Sequence, residues 1–510
     1  MDGTTGSMAV TLGMLIVFFG GIVAILYATN RNAKSFSDYA VGGRAFSSWY
    51  IAMSYTNSWW PGATYIAFFG LSVGAGVLGF YALAYSLLGV TAMYLMAERA
   101  WVWGKRFDLR TQPDMLGLRY DSKAVRVISS AIGVVCLFPW IVLGMQAMGT
   151  IFRFASFGQW SVTASLIVGV LVIAVRQIWT VQMGMRGLVI TDLVQGIVAY
   201  VLAAVVCLGI LFGPSDKAGY GGLADMSEGL LKLPGDGGTY GPWYVFSLVA
   251  TGVIGSLCWP TSFQRIYTAK GVRAVKKGTL QTMFVAGGFY LLLTLVALSA
   301  AAMTDIAAAP QDGWFVLLYD RMGQWGLGLA LVIVFAASMG WIDGCVQVCG
   351  AQIANDIVHV LSPRTDFQLK VVAKSSMVVY MLAAAVIAYA TFNYDRLQLL
   401  AQMSYQGIVQ LSVPMFLGLF WKRGTKLAAV SSMSAGFVIA AVLTWKYPDD
   451  MPGLGSVTGG IVALIVNLVV YLVISFAVPE SDAEKNRVEQ LFEAGKARST
   501  EPPAAPATTH

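Results

Sequence analysis

The chain has 510 residues, of which 57% are hydrophobic and only 12% are charged. Soluble domains carry about 25% charged residues, so this composition excludes an ordinary soluble domain and predicts an all-α protein that crosses a lipid bilayer many times. The net charge of +7 does not call for a nucleic-acid partner, because the placement of the basic residues along the chain accounts for it.

Thirteen apolar segments are long enough to cross a bilayer as helices. In chain order they lie near residues 8–29, 47–70, 75–97, 126–152, 157–175, 187–213, 242–263, 278–302, 326–357, 372–393, 397–421, 426–445 and 456–478.

Basic residues are distributed unevenly between the two sides of these segments. The loops that follow odd-numbered segments, together with the tail, hold 27 of the 33 Lys and Arg residues, and the other side holds six. Cytoplasmic loops are enriched in Lys and Arg, so this pattern predicts a plasma-membrane protein with its N-terminus outside and its C-terminus in the cytoplasm.

Residues 1–478 are predicted to form one transmembrane transporter domain, followed by a largely disordered cytoplasmic tail over 479–510 that begins with a short helix within 480–497. The sequence has no GxxxxGK[ST] phosphate-binding motif and no HExxH or Ser-His-Asp arrangement. These absences argue against an ATP-driven pump and against an enzyme, and no organic cofactor is expected.

The second segment contains an interruption within its sequence SYTNSWWPGATY, residues 54–65. Pro61 lacks an amide donor and Gly62 lacks side-chain restraint, so the helix is expected to break there. In hydrocarbon, such a break is tolerated only where protein surrounds it or where it lines a cavity. The polar and aromatic residues beside it are therefore predicted to contact a solute, namely Asn57, Ser58, Trp59 and Trp60.

The seventh segment has a corresponding interruption, TGVIGSLCWPTSFQR, in which Pro260 follows Trp259 and precedes Thr261. Two broken helices at matching places in two halves of a membrane chain indicate a transporter site. Five segments separate the two starts, which predicts inverted repeats over about 47–213 and 242–421, with the breaks facing each other. Trp259 and Thr261 are therefore added to the predicted solute contacts.

Polar side chains inside apolar segments supply further candidates, because such residues are costly in a bilayer. Asp192 and Asp343 are predicted to take part in ion coupling. Gln146, Gln402 and Gln406 are predicted to add amide groups to the walls of the solute site, although each could instead join two helices.

Four motifs resemble the sodium:solute symporter family: DYAVGGR (38–44), GMRGLVITDLVQG (184–196), WPTSFQRIYTAKGVRAVKKG (259–278) and FLGLFWKRGTKLAA (416–429). They extend over about residues 38 to 430. The resemblance implies a LeuT-like fold, with two inverted five-helix repeats around a central site. It also implies a cytoplasmic motif that includes Arg186, Gln264 and Arg265.

The resemblance further implies a sodium ion between backbone carbonyls of the first break, near Ser58, and the ninth segment, near Ala336. Ser338, three residues before Trp341, is the candidate substitute for a lost ligand on that segment. Family members carry adjacent Ser or Thr hydroxyls on that segment, where this chain has Gly340 and Trp341. Glycine has no side-chain oxygen and tryptophan offers only an N–H, whereas hard cations require oxygen ligands. The coupling ion therefore stays open between Na⁺, a proton carried by one of the buried carboxylates, and no ion.

The expected function is cation-driven uptake of a small organic solute by alternating access, as the family resemblance implies. Aromatic and amide walls suit a small organic molecule, and a monocarboxylate or amino-acid-like compound is preferred over a sugar, a polyol or a nucleobase. Two alternatives remain: a proton-coupled or uncoupled transporter of the same fold, and a solute sensor that binds its ligand without transporting it.

Overall fold

The computed structural model describes residues 5–30, 33–213, 220–224, 226–233, 241, 243–392, 397–448 and 450–496, apart from the side chains of 220, 221 and 397–402. The first ten α-helices are α1 Thr5–Ala28, α2 Phe36–Val41, α3 Ser48–Asn57, α4 Ala67–Ala75, α5 Phe80–Arg106, α6 Gln112–Tyr120, α7 Lys123–Ala155, α8 Val162–Met183, α9 Met185–Gly196 and α10 Ala203–Phe212. Those that follow are α11 Tyr220–Ala224, α12 Trp243–Gly255, α13 Pro260–Thr268, α14 Val272–Ala300, α15 Thr304–Ala308, α16 Gly313–Gln352, α17 His359–Leu361, α18 Asp366–Ala390, α19 Leu397–Ile408, α20 Ser412–Phe420, α21 Lys426–Lys446, α22 Gly459–Ala477 and α23 Asp482–Ala494.

Within the described ranges, eleven helical runs are long and apolar enough to cross a membrane. One of them, Gly62–Arg106, contains both α4 and α5. The short helices α3, α19 and α20 do not belong to any of the eleven. The protein is thus a multi-pass membrane protein, and the exact number of thirteen crossings remains a prediction.

In chain order, two sets of five helical segments each begin with an interrupted helix, whereas the membrane-length helices α1, α21 and α22 belong to neither set. The first set is α3–α4, α5, α7, α8 and α9–α10, and the second is α12–α13, α14, α16, α18 and α19–α20. The helical run that contains α16 lies at the centre, and 94% of its most apolar stretch is buried inside the protein. A helix that is apolar on all sides can be surrounded by other helices, which explains this position.

One segment boundary, in the fifth segment, differs from the sequence prediction. In the ninth segment, α16 consists of two helices that meet at a kink over Met322 and Gly323, so the helix after the kink begins close to the predicted residue 326. The fifth segment extends beyond 175, because α8 continues to Met183. Arg176, which was counted among the loop residues, therefore lies inside a membrane helix and is completely buried.

The short helix predicted within 480–497 is present as α23, and it packs on the ends of α5 and α6. The rings of Phe492 and Trp103 meet edge to face, with centroids 5.8 Å apart. The indole N–H of Trp103 donates to the Leu491 carbonyl oxygen at 3.1 Å. Residues 497–510, for which disorder was predicted, lie outside the described residues.

The first interruption is packed so closely against α16 that only glycine fits at position 62. A Cβ atom there would lie 1.9 Å from Ser338 Oγ and 2.7 Å from the Val334 carbonyl oxygen. The carbonyl belongs to the backbone of a buried helix, so it cannot move aside as a flexible side chain could. The first interruption therefore packs directly on the α16 backbone.

We expect Gly62→Ala to destabilise the protein by about 1–3 kcal/mol through overpacking. Thermal unfolding of the purified protein in detergent would show this as a lowered Tm. Gly74→Ala is the matched control on α4, because a Cβ atom there would meet nothing within 4 Å. An unchanged Tm for Gly62→Ala would contradict the close contact.

Candidate functional site

The first interruption covers Ser58–Pro61, between the end of α3 and a short 3-10 turn over Gly62–Tyr65. Pro61 has no amide hydrogen, so the helical hydrogen-bond pattern cannot continue through it. The Ser58 carbonyl oxygen accepts a hydrogen bond from Thr261 Oγ1 at 3.1 Å, and the Trp60 carbonyl oxygen accepts one from the Tyr200 hydroxyl. Side chains from other helices thus pair with the backbone that the break exposes.

The second interruption separates α12 from α13. Trp259 has an extended backbone, and Pro260 occupies the first helical position of α13, where its missing amide hydrogen costs nothing. Because Thr261 Oγ1 reaches the Ser58 carbonyl oxygen, the two breaks are in direct contact. The four predicted residues Ser58, Asn57, Trp259 and Thr261 therefore lie together at the junction of the breaks, and all are buried.

A cavity of about 160 Å³ lies beside this junction. Aromatic side chains form much of its wall, and four predicted solute contacts, Trp59, Trp60, Gln146 and Gln406, contribute to it. Among the described residues that line it there is no Asp, Glu, Lys, Arg or His. The cavity suits a small organic molecule, which it would hold by aromatic surface and neutral polar groups.

The glutamines predicted for the cavity wall differ in their roles. Gln406 Oε1 accepts hydrogen bonds from Thr444 Oγ1 and from the Gly460 amide, both at 2.7 Å, so this amide joins three helices. Gln146 Nε2 donates to Thr391 Oγ1 at 3.0 Å, whereas its Oε1 has no partner among the described residues. Gln402 lies outside the residues whose side chains are described. Of the three, only Gln146 is shown to line the cavity with an unpaired polar atom.

An aromatic cluster of Trp140, Trp259, Trp341 and Tyr405 lies between the cavity and the second break. The centroid of the Trp140 ring lies 6.2 Å from the ring centroid of Trp259, 5.8 Å from that of Trp341 and 5.7 Å from that of Tyr405. Sequence reasoning missed Trp140 and Tyr405, because nothing local distinguishes them from other apolar-segment aromatics. Trp341 occupies a position at which family members carry a Ser or Thr hydroxyl, and its indole is part of this cluster.

Asp192 is paired with Arg265, and both side chains are completely buried. Asp192 Oδ2 lies 3.4 Å from Arg265 Nη2 and accepts a hydrogen bond from Ser54 Oγ at 2.5 Å. Asn57 Nδ2 donates to Asp192 Oδ1 at 3.2 Å. The predicted ion-coupling carboxylate is therefore joined to the first break, and its charge is balanced by a residue that was predicted to belong to a cytoplasmic motif.

Asp343 forms a second buried ion pair, with Arg176. Gln177 Nε2 donates to Asp343 Oδ1 at 2.5 Å, and Arg176 Nη2 donates to Thr191 Oγ1 at 2.9 Å. Sequence reasoning missed Arg176 because a basic residue at the end of an apolar segment resembles the start of a loop. A full-length membrane helix of about 20 residues would have included it.

The remaining members of the predicted cytoplasmic motif connect the first loop to α9 and α13. Gln264 Nε2 donates to the Ala40 carbonyl oxygen at 2.7 Å. Arg186 lies in the first turn of α9, where its backbone amide nitrogen is 3.4 Å from the position of a Cβ atom on Gly42. The motifs DYAVGGR and GMRGLVITDLVQG are thus in contact, and this contact fixes the ends of the helices rather than the cavity.

The residues at the position implied for sodium do not fit that ion. Gly340 and Trp341 provide no side-chain oxygen, and the indole of Trp341 is part of the aromatic cluster. A Cβ atom at Gly340 would lie 3.0 Å from Asn57 Cγ, so the Asn57 side chain fills the space beside that glycine. Ala336 and Ser338 are both buried, and Ser338 Oγ has no partner among the described residues. The single hydroxyl of Ser338 does not replace the two hydroxyls that family members carry at the positions of Gly340 and Trp341.

Comparison with known proteins identifies the family to which the chain belongs. The model of the sodium:solute symporter family matches residues 39–436, so the chain belongs to that family. An uncharacterised symporter from Bacillus subtilis, YhjB, is 25% identical, and the alignment covers 90% of this chain and 96% of the relative. A monocarboxylate transport permease protein from Rhizobium johnstonii is 24% identical, with coverage of 93% and 98%.

A solved structure has the same fold. A Na⁺-coupled sialic acid symporter in its substrate-bound, outward-open state matches with a TM-score of 0.74 at 14% sequence identity, covering 92% of this chain and 98% of that chain. The fold is accordingly LeuT-like, and the protein is a membrane transport protein of the symporter class rather than an enzyme.

The Arg176–Asp343 pair provides a direct test of the buried electrostatics. Arg176→Gln and Asp343→Asn should each destabilise the protein by about 3–5 kcal/mol, because each leaves one charge buried without its partner. The double variant should regain much of that loss, since neither charge remains. Thermal unfolding of the purified proteins measures the three effects.

The matched control is Lys276→Gln, which breaks the partly exposed pair of Lys276 with Glu98 at 2.6 Å. That substitution should cost only about 0–1 kcal/mol. A double variant as unstable as the sum of its two single variants would show that Arg176 and Asp343 do not act as a pair.

Proposed function

We propose that the protein imports a small organic solute across the plasma membrane by alternating access, driven by a cation gradient, and that the solute binds in the aromatic cavity beside the two breaks. The observation that carries this proposal is the position of the cavity. Trp59, Trp60 and Pro61 of the first break line it, and Trp140 joins it to the second break through Trp259. A relative movement of the two helix sets would therefore change the cavity walls.

The preferred solute is a monocarboxylate or an amino-acid-like compound. Trp140 lines the cavity, and its indole N–H has no partner among the described residues. A neutral donor of this kind can bind a carboxylate while leaving it free to dissociate, which transport requires. The similarity to a monocarboxylate permease supports this choice. Gln402 and Gln406 remain predicted contributors to the site.

The proposed orientation has the N-terminus outside and the C-terminus in the cytoplasm. The loops on the same side of the membrane as the C-terminus carry the excess of Lys and Arg. This excess persists when Arg176 and Arg265 are assigned to the membrane interior. In this orientation α3 begins at the cytoplasmic side, and α4 leads outward past the cavity. The solute would therefore enter along α4.

The test is uptake of radiolabelled monocarboxylates, amino acids and sugars into proteoliposomes of the purified protein. Accumulation of one class against its gradient is the expected result, first under a sodium gradient and then under a proton gradient. Trp60→Ala should lower the initial rate by about tenfold or more, since losing about 1.4 kcal/mol of binding gives a tenfold change. Trp445→Ala is the control, because that side chain is 83% exposed.

The same experiment separates the alternatives. Equilibration without accumulation would indicate an uncoupled transporter of the same fold. A receptor would bind the labelled solute without any flux, and this outcome would reject the proposed transport function. Equal uptake by Trp60→Ala and the unmodified protein would reject the aromatic cavity as the solute site.

A further inference from the structure

Six aromatic side chains that line the cavity form a closed ring, which we call the aromatic cage. Each member contacts the next, and neighbouring ring centroids are between 4.6 and 6.3 Å apart. In order around the cage, the members are Trp59, Trp60, Tyr290, Phe68, Tyr81 and Tyr85, which returns to Trp59. Because every member also lines the cavity, aromatic surface bounds this part of it on several sides.

The backbone of the first break and the period of α5 place these rings together. Neighbouring residues of a regular helix point about 100° apart, so their rings do not stack. Trp59 and Trp60 do stack, with centroids 4.6 Å apart and planes at 28°, because the helix is interrupted there. Tyr81 and Tyr85 are four residues apart and share one face of α5. The last two rings come from α4 and α14. The cage thus depends on the break and on both helix sets.

An aromatic wall of this kind attracts a positively charged group. The attraction operates when the cation lies within about 6 Å of a ring centroid, and the spacing of the cage brings several rings within that distance of one group. A fully methylated ammonium suits this wall, because it carries a positive charge without any N–H group. A primary ammonium has three N–H donors, and ring faces do not replace the hydrogen bonds that these donors lose on leaving water.

The charge balance of the cavity favours a solute without net charge. Among the described residues of its wall there is no acidic or basic side chain that could neutralise a net charge on the solute. Burying such a charge without a counter-charge is costly, whereas a zwitterion carries its own counter-charge. Its carboxylate requires a donor, and the indole N–H of Trp140, which lines the same cavity, has no partner among the described residues.

We infer that the solute is a betaine, an amino-acid-like zwitterion whose nitrogen is fully methylated. The methylated ammonium lies against the aromatic cage, and the carboxylate accepts a hydrogen bond from the indole N–H of Trp140. This inference rests on the proposed function and narrows its solute class from monocarboxylates and amino-acid-like compounds in general to one kind of amino-acid derivative. Affinity comes from the positive charge of the ammonium, and its methyl groups remove the need for hydrogen-bond acceptors.

The experiment is calorimetric titration of the purified protein with three matched compounds: trimethylglycine, 3,3-dimethylbutanoate and glycine. The second has the shape of the first with carbon in place of nitrogen, so it lacks the positive charge, and the third lacks the methyl groups. Trimethylglycine should bind at least about tenfold more tightly than either. Equal or tighter binding of 3,3-dimethylbutanoate would overturn the inference, as would an absence of trimethylglycine binding. Equal or tighter binding of glycine would also overturn it and would assign the ammonium to unpaired oxygens such as Gln146 Oε1.

Variants at position 81 test the cage itself. Tyr81→Leu removes one ring and should lower the preference for trimethylglycine over 3,3-dimethylbutanoate by about threefold or more, whereas Tyr81→Phe keeps the ring and should keep the preference. Phe154→Leu is the control outside the cavity, because Phe154 stacks on Phe315 with centroids 4.5 Å apart. A preference that is unchanged in a folded Tyr81→Leu protein would overturn the cage as the ammonium site. If that variant does not fold, the titration of the unmodified protein decides.

Uptake into proteoliposomes separates this inference from the proposed function. Accumulation of radiolabelled trimethylglycine supports both. Accumulation of a monocarboxylate or an unmethylated amino acid, without binding of trimethylglycine, would overturn the inference and leave the proposed function intact. Tight binding of trimethylglycine without flux of any solute would reject transport and still support the aromatic cage as a binding site for a methylated ammonium.

Discussion

An unpaired backbone amide or carbonyl costs several kcal/mol in hydrocarbon, and this constraint governs the centre of the protein. Each interrupted helix exposes such groups, and side chains from other helices form hydrogen bonds with them. Thr261, beside the second break, donates to the Ser58 carbonyl at the first, and Tyr200 donates to the Trp60 carbonyl. The breaks are therefore not independent: the contact that pairs the exposed backbone also places the two helix sets side by side around the cavity.

Features with a local cause could be predicted from the sequence. Pro61 and Pro260 mark the interruptions because proline disrupts a helix wherever it occurs, and the odd number of segments between them predicts that they face each other. The resemblance of four motifs to the sodium:solute symporter family predicted the LeuT-like fold. The burial of Asp192 and Asp343 also followed from their apolar surroundings, and both side chains are completely buried.

Features that depend on tertiary placement could not be predicted. Arg176 and Arg265 stand near segment ends, where a basic side chain normally faces water, and only the packed structure shows that each meets a buried carboxylate. Likewise, the sequence does not distinguish a glutamine that lines a cavity from one that joins helices. Gln406 touches the cavity, yet its oxygen is taken by Thr444 and the Gly460 amide.

The docking of α23 has a consequence for how the protein is made. The Trp103 indole and its carbonyl partner at Leu491 are 388 residues apart. Because a ribosome adds residues in order from the N-terminus, α5 enters the bilayer long before its partner exists. During that interval the apolar surface around Trp103, which Phe492 later covers, is available to chaperones and to quality-control proteases. The surface around Trp103 therefore stays uncovered until α23 has been made and has docked.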